Sequence, residues 1–557
     1  VTPERRIWQI GTLYTLLLLL ISCRLVYWQL AKSQPSLPGV ADAVADAGQD
    51  ETVTPRAVPT QTPSTTPVAT WTPEPTETPQ PTFTHTKTPS PTTPPTKTPT
   101  PTPTIDIGAI VRGTIYDRNG RRLAYDLDTG TPSRFYAEPA LAHVVGYVSG
   151  VRVGVAGIER AFDRTLFGLD DPEIPGRQPT RGNDVFLTID SRVQRAAAQA
   201  LSGKAGGIVV LDARTGAVLA MASSPAFDPN RVLDPVYIRE LEACDGSASC
   251  RQALFNRATQ GLYTPGSTWK TVTLVAALDS GQVTPETAFD FGPPLRDANG
   301  RIYYVYTVDG FSIKDPNHPE RRLDLVRSFA VSANAAFARI GDEMPAEVMI
   351  AYAGRLGFGR KDDGVPPIEI DASAARLAVS PQELYTNNPL RASTAIGQGE
   401  LLASPLSLAL VTMAIVNDGD IPVPHLVQSV TDPSGNPLAG EPSDHWISDA
   451  MRPETAELVR GMMVQVVRNG SGVRANLAGF VVGGKTGTAQ VGDDSAPHAW
   501  FTGFVQGAER AVVVTVIIEN GGEGSQVAAP IFAQIADVAM RHLGEPVEEV
   551  VPERTVP

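Results

Sequence analysis

Cysteine is scarce in this sequence: of its 557 residues only Cys23, Cys244 and Cys250 carry a thiol. There is no CxxC pair. The seven histidines (His85, His143, His318, His425, His445, His498 and His542) are scattered, without the HxxxH spacing that sets two imidazoles on one helix face. The sequence therefore offers no metal site, and no cofactor is expected. Clustered positive charge is missing too. With 46 basic and 60 acidic side chains the net charge is -14, which disfavours nucleic acid as a partner, because phosphate binding needs a basic surface. The acidic excess suits an exposed, soluble domain. Cys244 and Cys250 are close enough to bridge in an oxidising compartment, and equally readable as two free thiols in a loop.

Proline, by contrast, is plentiful at 49 residues, and its distribution divides the chain. Residues 1–30 read as a short cytoplasmic tail and membrane anchor. Arg5 and Arg6 precede an uncharged apolar run at 7–23, continued by 25–28, which at about 17 residues is near the lower limit for a span. Positive charge before the run puts the N-terminus inside and the rest outside. No small-x-small site follows it, which argues against a cleaved signal. Leu20-Ile21-Ser22-Cys23 resembles a lipobox, so a lipid anchor at Cys23 is the alternative. Residues 31–104 are dominated by Thr, Pro, Ser and Ala. Such a segment buries too little to offset ordering entropy and reads as a disordered linker. In extended polyproline geometry roughly fifty such residues reach on the order of 150 Å.

From residue 105 onward the pattern is that of a folded chain. Residues 114–117 and the strand after Asn119-Gly120 suggest a hairpin with a type I′ turn. A helix is expected over 157–166, a strand at 185–189 and a helix at 191–201. Hairpins are expected at 208–222 and 500–518, with a closing helix at 527–543. Strands, a long helical middle, then strands and a helix indicate an α+β fold: one antiparallel sheet with helices packed around it.

Three short patterns carry chemistry. In Pro265-Gly266-Ser267-Thr268-Trp269-Lys270, Ser267 stands at a helix N-terminus and Lys270 lies on the same face. A serine hydroxyl attacks well only when a base takes its proton, and a buried lysine with a depressed pKa is such a base. Ser332-Ala333-Asn334 falls in an apolar-periodic run at 326–340, expected to be one helix presenting a hydroxyl and an amide to the same pocket. A second SxN at Ser434-Gly435-Asn436 sits in turn chemistry. In Lys485-Thr486-Gly487-Thr488, an extended backbone puts Thr486 and Thr488 on one side, Gly487 lets a substrate approach the backbone, and Lys485 provides a positive field for a carboxylate. The surrounding Gly479 to Thr486 also fits the nucleotide pattern GxxxxGK[ST]. That motif requires a helix beginning at the lysine, and Thr486-Gly487-Thr488-Ala489-Gln490 is not a helix start.

In this order, SxxK, SxN and KTG resemble the serine penicillin-recognising enzymes. Arg112-Gly113-Thr114-Ile115-Tyr116-Asp117-Arg118-Asn119-Gly120 is similar to the start of the pedestal region in class B penicillin-binding proteins. So are 143–147 and 156–159 to later pedestal motifs, and Asn256-Arg257-Ala258, Ile396-Gly397-Gln398-Gly399 and Ala499-Trp500-Phe501-Thr502-Gly503 to further family segments. The resemblance covers roughly 105–545. It implies a small, mainly β pedestal or dimerisation-like region at 105–183, a penicillin-binding transpeptidase fold at 184–545 and a flexible tail at 546–557.

The implied activity is that of a peptidoglycan D,D-transpeptidase. Ser267 would attack stem peptides ending in D-Ala-D-Ala, with Lys270 as base. Ser332 and Lys485 would pass a proton to the leaving D-Ala, and Asn334 would bind the stem amide. Thr486 and Thr488 would hold the terminal carboxylate, and the N–H groups of Ser267 and Thr488 would form the oxyanion hole. β-Lactams would acylate Ser267. The resemblance also implies a separate membrane glycosyltransferase as polymerising partner, since a Thr/Pro linker stands where bifunctional relatives carry that domain. A D,D-carboxypeptidase or β-lactamase-like hydrolase is the alternative within the enzyme class, and a non-catalytic β-lactam sensor the alternative outside it.

Overall fold

The computed structural model describes residues 106–128, 133–170, 179–242, 252–360, 364–492 and 495–544. The expected anchor, linker and C-terminal tail lie outside the described residues, as do Cys23, Cys244 and Cys250. Among the described residues no helix is long and apolar enough to cross a membrane.

The organising element is a five-stranded, wholly antiparallel sheet. In spatial order its strands are Val481–Ala489, His498–Gln506, Ala511–Ile518, Gly206–Asp212 and Val218–Ser224. Ala511–Ile518 is buried at every position after its first. It is a continuous β-branched run rather than an alternating one because helices cover both faces. Successive side chains divide between those faces. Ile208, Val210, Val512 and Val514 pack with the helices Ser191–Ala200 and Ala528–His542. Val209, Leu211 and Val513 pack on the opposite side with Pro405–Val416, Lys270–Asp279 and Pro453–Asn469. Pro405–Val416 is buried at every residue except Val416. Its start is set by Pro at the first position and by Ser404, whose Oγ accepts from Ser407 N.

The expectation of one antiparallel sheet is not met: a second sheet of six strands, in which Ile115–Tyr116 runs parallel to Asp184–Leu187, is ordered Pro437–Gly440, Val427–Thr431, Asp184–Leu187, Ile115–Tyr116, Arg122–Leu127, Ser133–Tyr136. It draws on chain from both sides of residue 183. Two local expectations fail here. The hairpin at 115–127 forms, but its turn is not type I′: Gly120 has φ +79° while Asn119 is not left-handed. The Asp117 carboxylate accepts from Asn119 N and Arg121 N, and these side-chain bonds shape the loop instead. The helix expected over 157–166 is two pieces, Gly157–Ala161 and Asp163–Leu166, broken at Phe162 (φ -111°, ψ 27°). Ser434-Gly435-Asn436 is a turn, as expected, with Asp432 Oδ1 accepting from Ser434 N and Asn436 N.

Candidate active site

Ser267 lies on a one-turn 3₁₀ segment, Gly266–Trp269, that runs directly into the helix Lys270–Asp279. Residues three apart eclipse in a 3₁₀ turn, so Ser267 and Lys270 share a side. The turn is held from two directions. Gly266 has φ +55°, and a Cβ there would stand 2.7 Å from Thr488 O. Gly266 N donates to Gly397 O at 2.9 Å, and a Cβ on Gly397 would stand 1.8 Å from Gly266 O. Glycine is required at both positions, because the two chains cross backbone to backbone. Trp269, buried against Phe358 with ring centroids 4.7 Å apart, anchors the turn to the core.

The helix expected over 326–340 is interrupted at the SxN motif. One helix ends at Ala330 and the next begins at Asn334. Between them Ser332 adopts φ +63°, a left-handed backbone uncommon for a residue with a side chain. The break is what brings Ser332 inward. Its Oγ accepts from Lys485 Nζ at 2.9 Å and from Lys270 Nζ at 3.2 Å. Lys270 Nζ also donates to Ser332 O and Asn334 Oδ1, both at 2.7 Å. One serine hydroxyl thus bridges two lysine amines.

Both lysines are fully buried. Burial pushes the Lys270 ammonium down to about 7, with the nearby Asp315 carboxylate acting the other way. Lys485 is pushed well below the usual lysine value by burial and by repulsion from Lys270. A neutral amine at Lys270 is therefore accessible near neutral pH.

The segment that also fits the nucleotide pattern is, as its residues indicated, no helix start: its lysine lies on the edge strand Val481–Ala489. Thr486 and Thr488 open into the same cleft, as the strand alternation requires. Gly487 faces the nucleophile turn instead. A Cβ there would stand 2.9 Å from each of Pro265 O, Thr268 Cγ2 and Trp500 Cβ, so its lack of a side chain permits strand and turn to pack. Ser267, Ser332, Asn334, Thr486 and Thr488 line a cleft of about 1130 Å³, with the lysines buried beneath it.

Four further residues have no motif to announce them. Asn317 Nδ2 donates to Ser332 O at 2.6 Å. Asp315, fully buried, accepts from Ala335 N at 2.8 Å and lies 3.3 Å from His318 Nε2. Ser471 Oγ and Thr486 Oγ1 are 2.7 Å apart. Glu523 Oε2 accepts from Thr488 Oγ1 at 2.9 Å. The only sequence signal among them is the Gly470-Ser471-Gly472 loop after the helix Pro453–Asn469, which marks a helix end and nothing chemical.

A partly exposed serine hydroxyl, two buried amines joined through a second hydroxyl and an open strand edge beside them define a serine acyl-transfer enzyme. The model of the penicillin-binding protein transpeptidase domain matches residues 206–537. The chain belongs to that family. It is 31% identical over 453 residues to the peptidoglycan D,D-transpeptidase PbpA of Mycolicibacterium smegmatis, covering 76% of this chain and 88% of the relative. It is 27% identical over 481 residues to the peptidoglycan D,D-transpeptidase MrdA of Escherichia coli, covering 74% and 72%. Among solved structures, the D,D-transpeptidase domain of a peptidoglycan glycosyltransferase from Eggerthella lenta superposes with a TM-score of 0.67 at 31% identity, over 78% of this chain and 98% of that one. The ceftriaxone acyl-enzyme of penicillin-binding protein A from M. tuberculosis superposes with a TM-score of 0.68 at 26% identity, over 78% and 99%.

Proposed function

We propose that this chain is a peptidoglycan D,D-transpeptidase that cross-links stem peptides through an acyl-enzyme on Ser267 and is trapped there by β-lactams. The observation that carries the reading is the Lys270–Ser332–Lys485 bridge beside Ser267. A neutral Lys270 keeps two N–H bonds, which Ser332 O and Asn334 Oδ1 accept at 2.7 Å; loss of the third proton gives up the longer bond to Ser332 Oγ and leaves a lone pair as base for Ser267. Ser267 Oγ attacks the carbonyl carbon of the penultimate D-Ala and the proton passes to Lys270. The tetrahedral oxyanion is met by the N–H groups of Ser267 and Thr488. Collapse breaks the amide bond, and Ser332 with Lys485 relays a proton to the departing D-Ala. An amine from a neighbouring strand then attacks the ester carbonyl and frees Ser267. Asn334 holds the stem amide; Thr486 and Thr488 hold the terminal carboxylate.

The same reading assigns residues 1–30 to a membrane anchor, 31–104 to an extended linker and 105–183 to a pedestal. It puts the catalytic domain outside the cell membrane, with a membrane glycosyltransferase supplying the glycan strands. The basic pair before an apolar run, and the Thr/Pro composition after it, support that arrangement.

The test is labelling of the full chain with a fluorescent penicillin. A stable adduct is expected on the wild type and none on Ser267→Ala at equal folding. An adduct that persists in the variant removes Ser267 as nucleophile, and rapid turnover of the label favours a hydrolase.

A further inference from the structure

The described residues lining the cleft include only two charged side chains, Lys314 and Glu523. Lys314 Nζ lies over the Tyr303 ring, 4.3 Å from its centroid. Glu523 stands at the KTG end, and its place is set by backbone packing rather than by a free surface loop. A Cβ on the adjoining Gly524 would stand 2.3 Å from both Gly487 O and Trp500 O, so this segment lies directly on the edge strand. Gln526 N and Val527 N both donate to Glu523 O at 3.0 Å.

The carboxylate accepts a hydrogen bond from the Thr488 hydroxyl. Gly524 N donates to Thr488 Oγ1 at 3.4 Å. A carboxylate held by Thr488 has to draw that hydroxyl hydrogen away from Glu523, and any further anion beside it meets the Glu523 charge across a few ångströms. Charges this close interact appreciably even in a solvated cleft.

We propose that Glu523 is a charge-selecting residue at the KTG end of the cleft: it weakens binding of ligands with added negative charge beside the bound carboxylate and favours ligands with a cationic centre there. In the proposed reaction this bias acts after the terminal D-Ala has left, when the cleft must admit an acceptor that arrives as an ammonium, loses one proton to solvent and attacks as the neutral amine. The inference rests on the reading of Ser267 as the acylated nucleophile and of Thr486 and Thr488 as the carboxylate site.

Two cephalosporins with the same acyl side chain test it, one with a quaternary ammonium next to the ring carboxylate and the other with a neutral group there. The readout is the ratio of their acylation rates on the full-length wild type and on Glu523→Gln. The ratio is expected to favour the cationic compound and to fall about threefold to tenfold in the variant. Glutamine keeps the shape and an acceptor oxygen for Thr488, so a merely structural role leaves the ratio unchanged. In the wild type alone, raising ionic strength from about 0.02 to 0.5 M shrinks the ratio by screening. A ratio that is the same in both proteins, or indifferent to salt in the wild type, overturns the proposal. If neither compound forms an adduct that depends on Ser267, the proposed function itself fails.

Discussion

Lys270→Met lowers the rate of acylation by penicillin by about 10²–10⁴-fold, the usual contribution of a positioned general base. Methionine fills much of the buried volume but offers no lone pair to the Ser267 proton. The wild-type rate has a distinctive pH dependence. Because the Lys270 ammonium is pushed down to about 7, by burial above all, acylation falls as pH drops through about 7 rather than through the ordinary lysine range. Below that midpoint the amine is protonated and cannot accept. Asp315 opposes the shift: its negative charge favours the ammonium. Asp315→Asn therefore moves the acid limb to lower pH, while the amide oxygen can still accept from Ala335 N. The groups facing Lys270 are Lys485, the neutral acceptors Ser332 and Asn334, and Asp315 with its neighbour His318. Second-order acylation rates measured from about pH 5 to 9 on the three proteins decide the matter. A limb that stays in place in Asp315→Asn, or a Lys270→Met enzyme within tenfold of wild type, would falsify this account of the base.

Glu159→Gln destabilises the chain by about 3–5 kcal/mol, the cost of breaking a buried ion pair from one side. Glu159 and Arg112 are both 0% exposed, joined Oε2 to Nε at 2.7 Å, and Arg134 Nε meets the other carboxylate oxygen at 2.7 Å. The group continues through Arg112 to Asp163 at 2.8 Å, through Arg134 to Asp126 at 3.6 Å, and from Asp126 to Arg152. Three cations are matched by three anions. Glutamine leaves one excess positive charge among groups that water barely reaches. Equilibrium urea unfolding of wild type, Glu159→Gln and the double variant Arg112→Met/Glu159→Met measures the effect. The double variant is expected to lose less than Glu159→Gln, because it removes one charge of each sign. Equal losses would show that shape, not charge, sets the stability of this region.

The two buried groups also mark where sequence reading stops. Ser267, Ser332, Lys485 and their neighbours were visible as short motifs because the residue types are local, and three in one order is a rare coincidence. The strands at 208–212, 218–222, 500–505 and 511–518 are visible in the sequence because β-branched runs between turn residues have little other use. What was not visible was everything that depends on a neighbour far along the chain. The apolar periodicity at 326–340 predicts one helix, since propensity cannot register that Ser332 must turn inward to reach Lys485, 153 residues away. Asn-Gly predicts a type I′ turn, since the pattern does not include Asp117 reaching over it. Glu523, Asp315 and Ser471 belong to no motif.

By itself, then, the sequence determined the α+β class, the places of several sheet-forming segments along the chain and the identity of the groups able to do acyl-transfer chemistry. Those follow from side-chain type and spacing over a few residues. Only the tertiary structure decided which amines lose water, which hydroxyl joins them and which carboxylate faces the cleft. Desolvation and hydrogen bonding between distant segments are set by packing, and packing is not a local property of the chain.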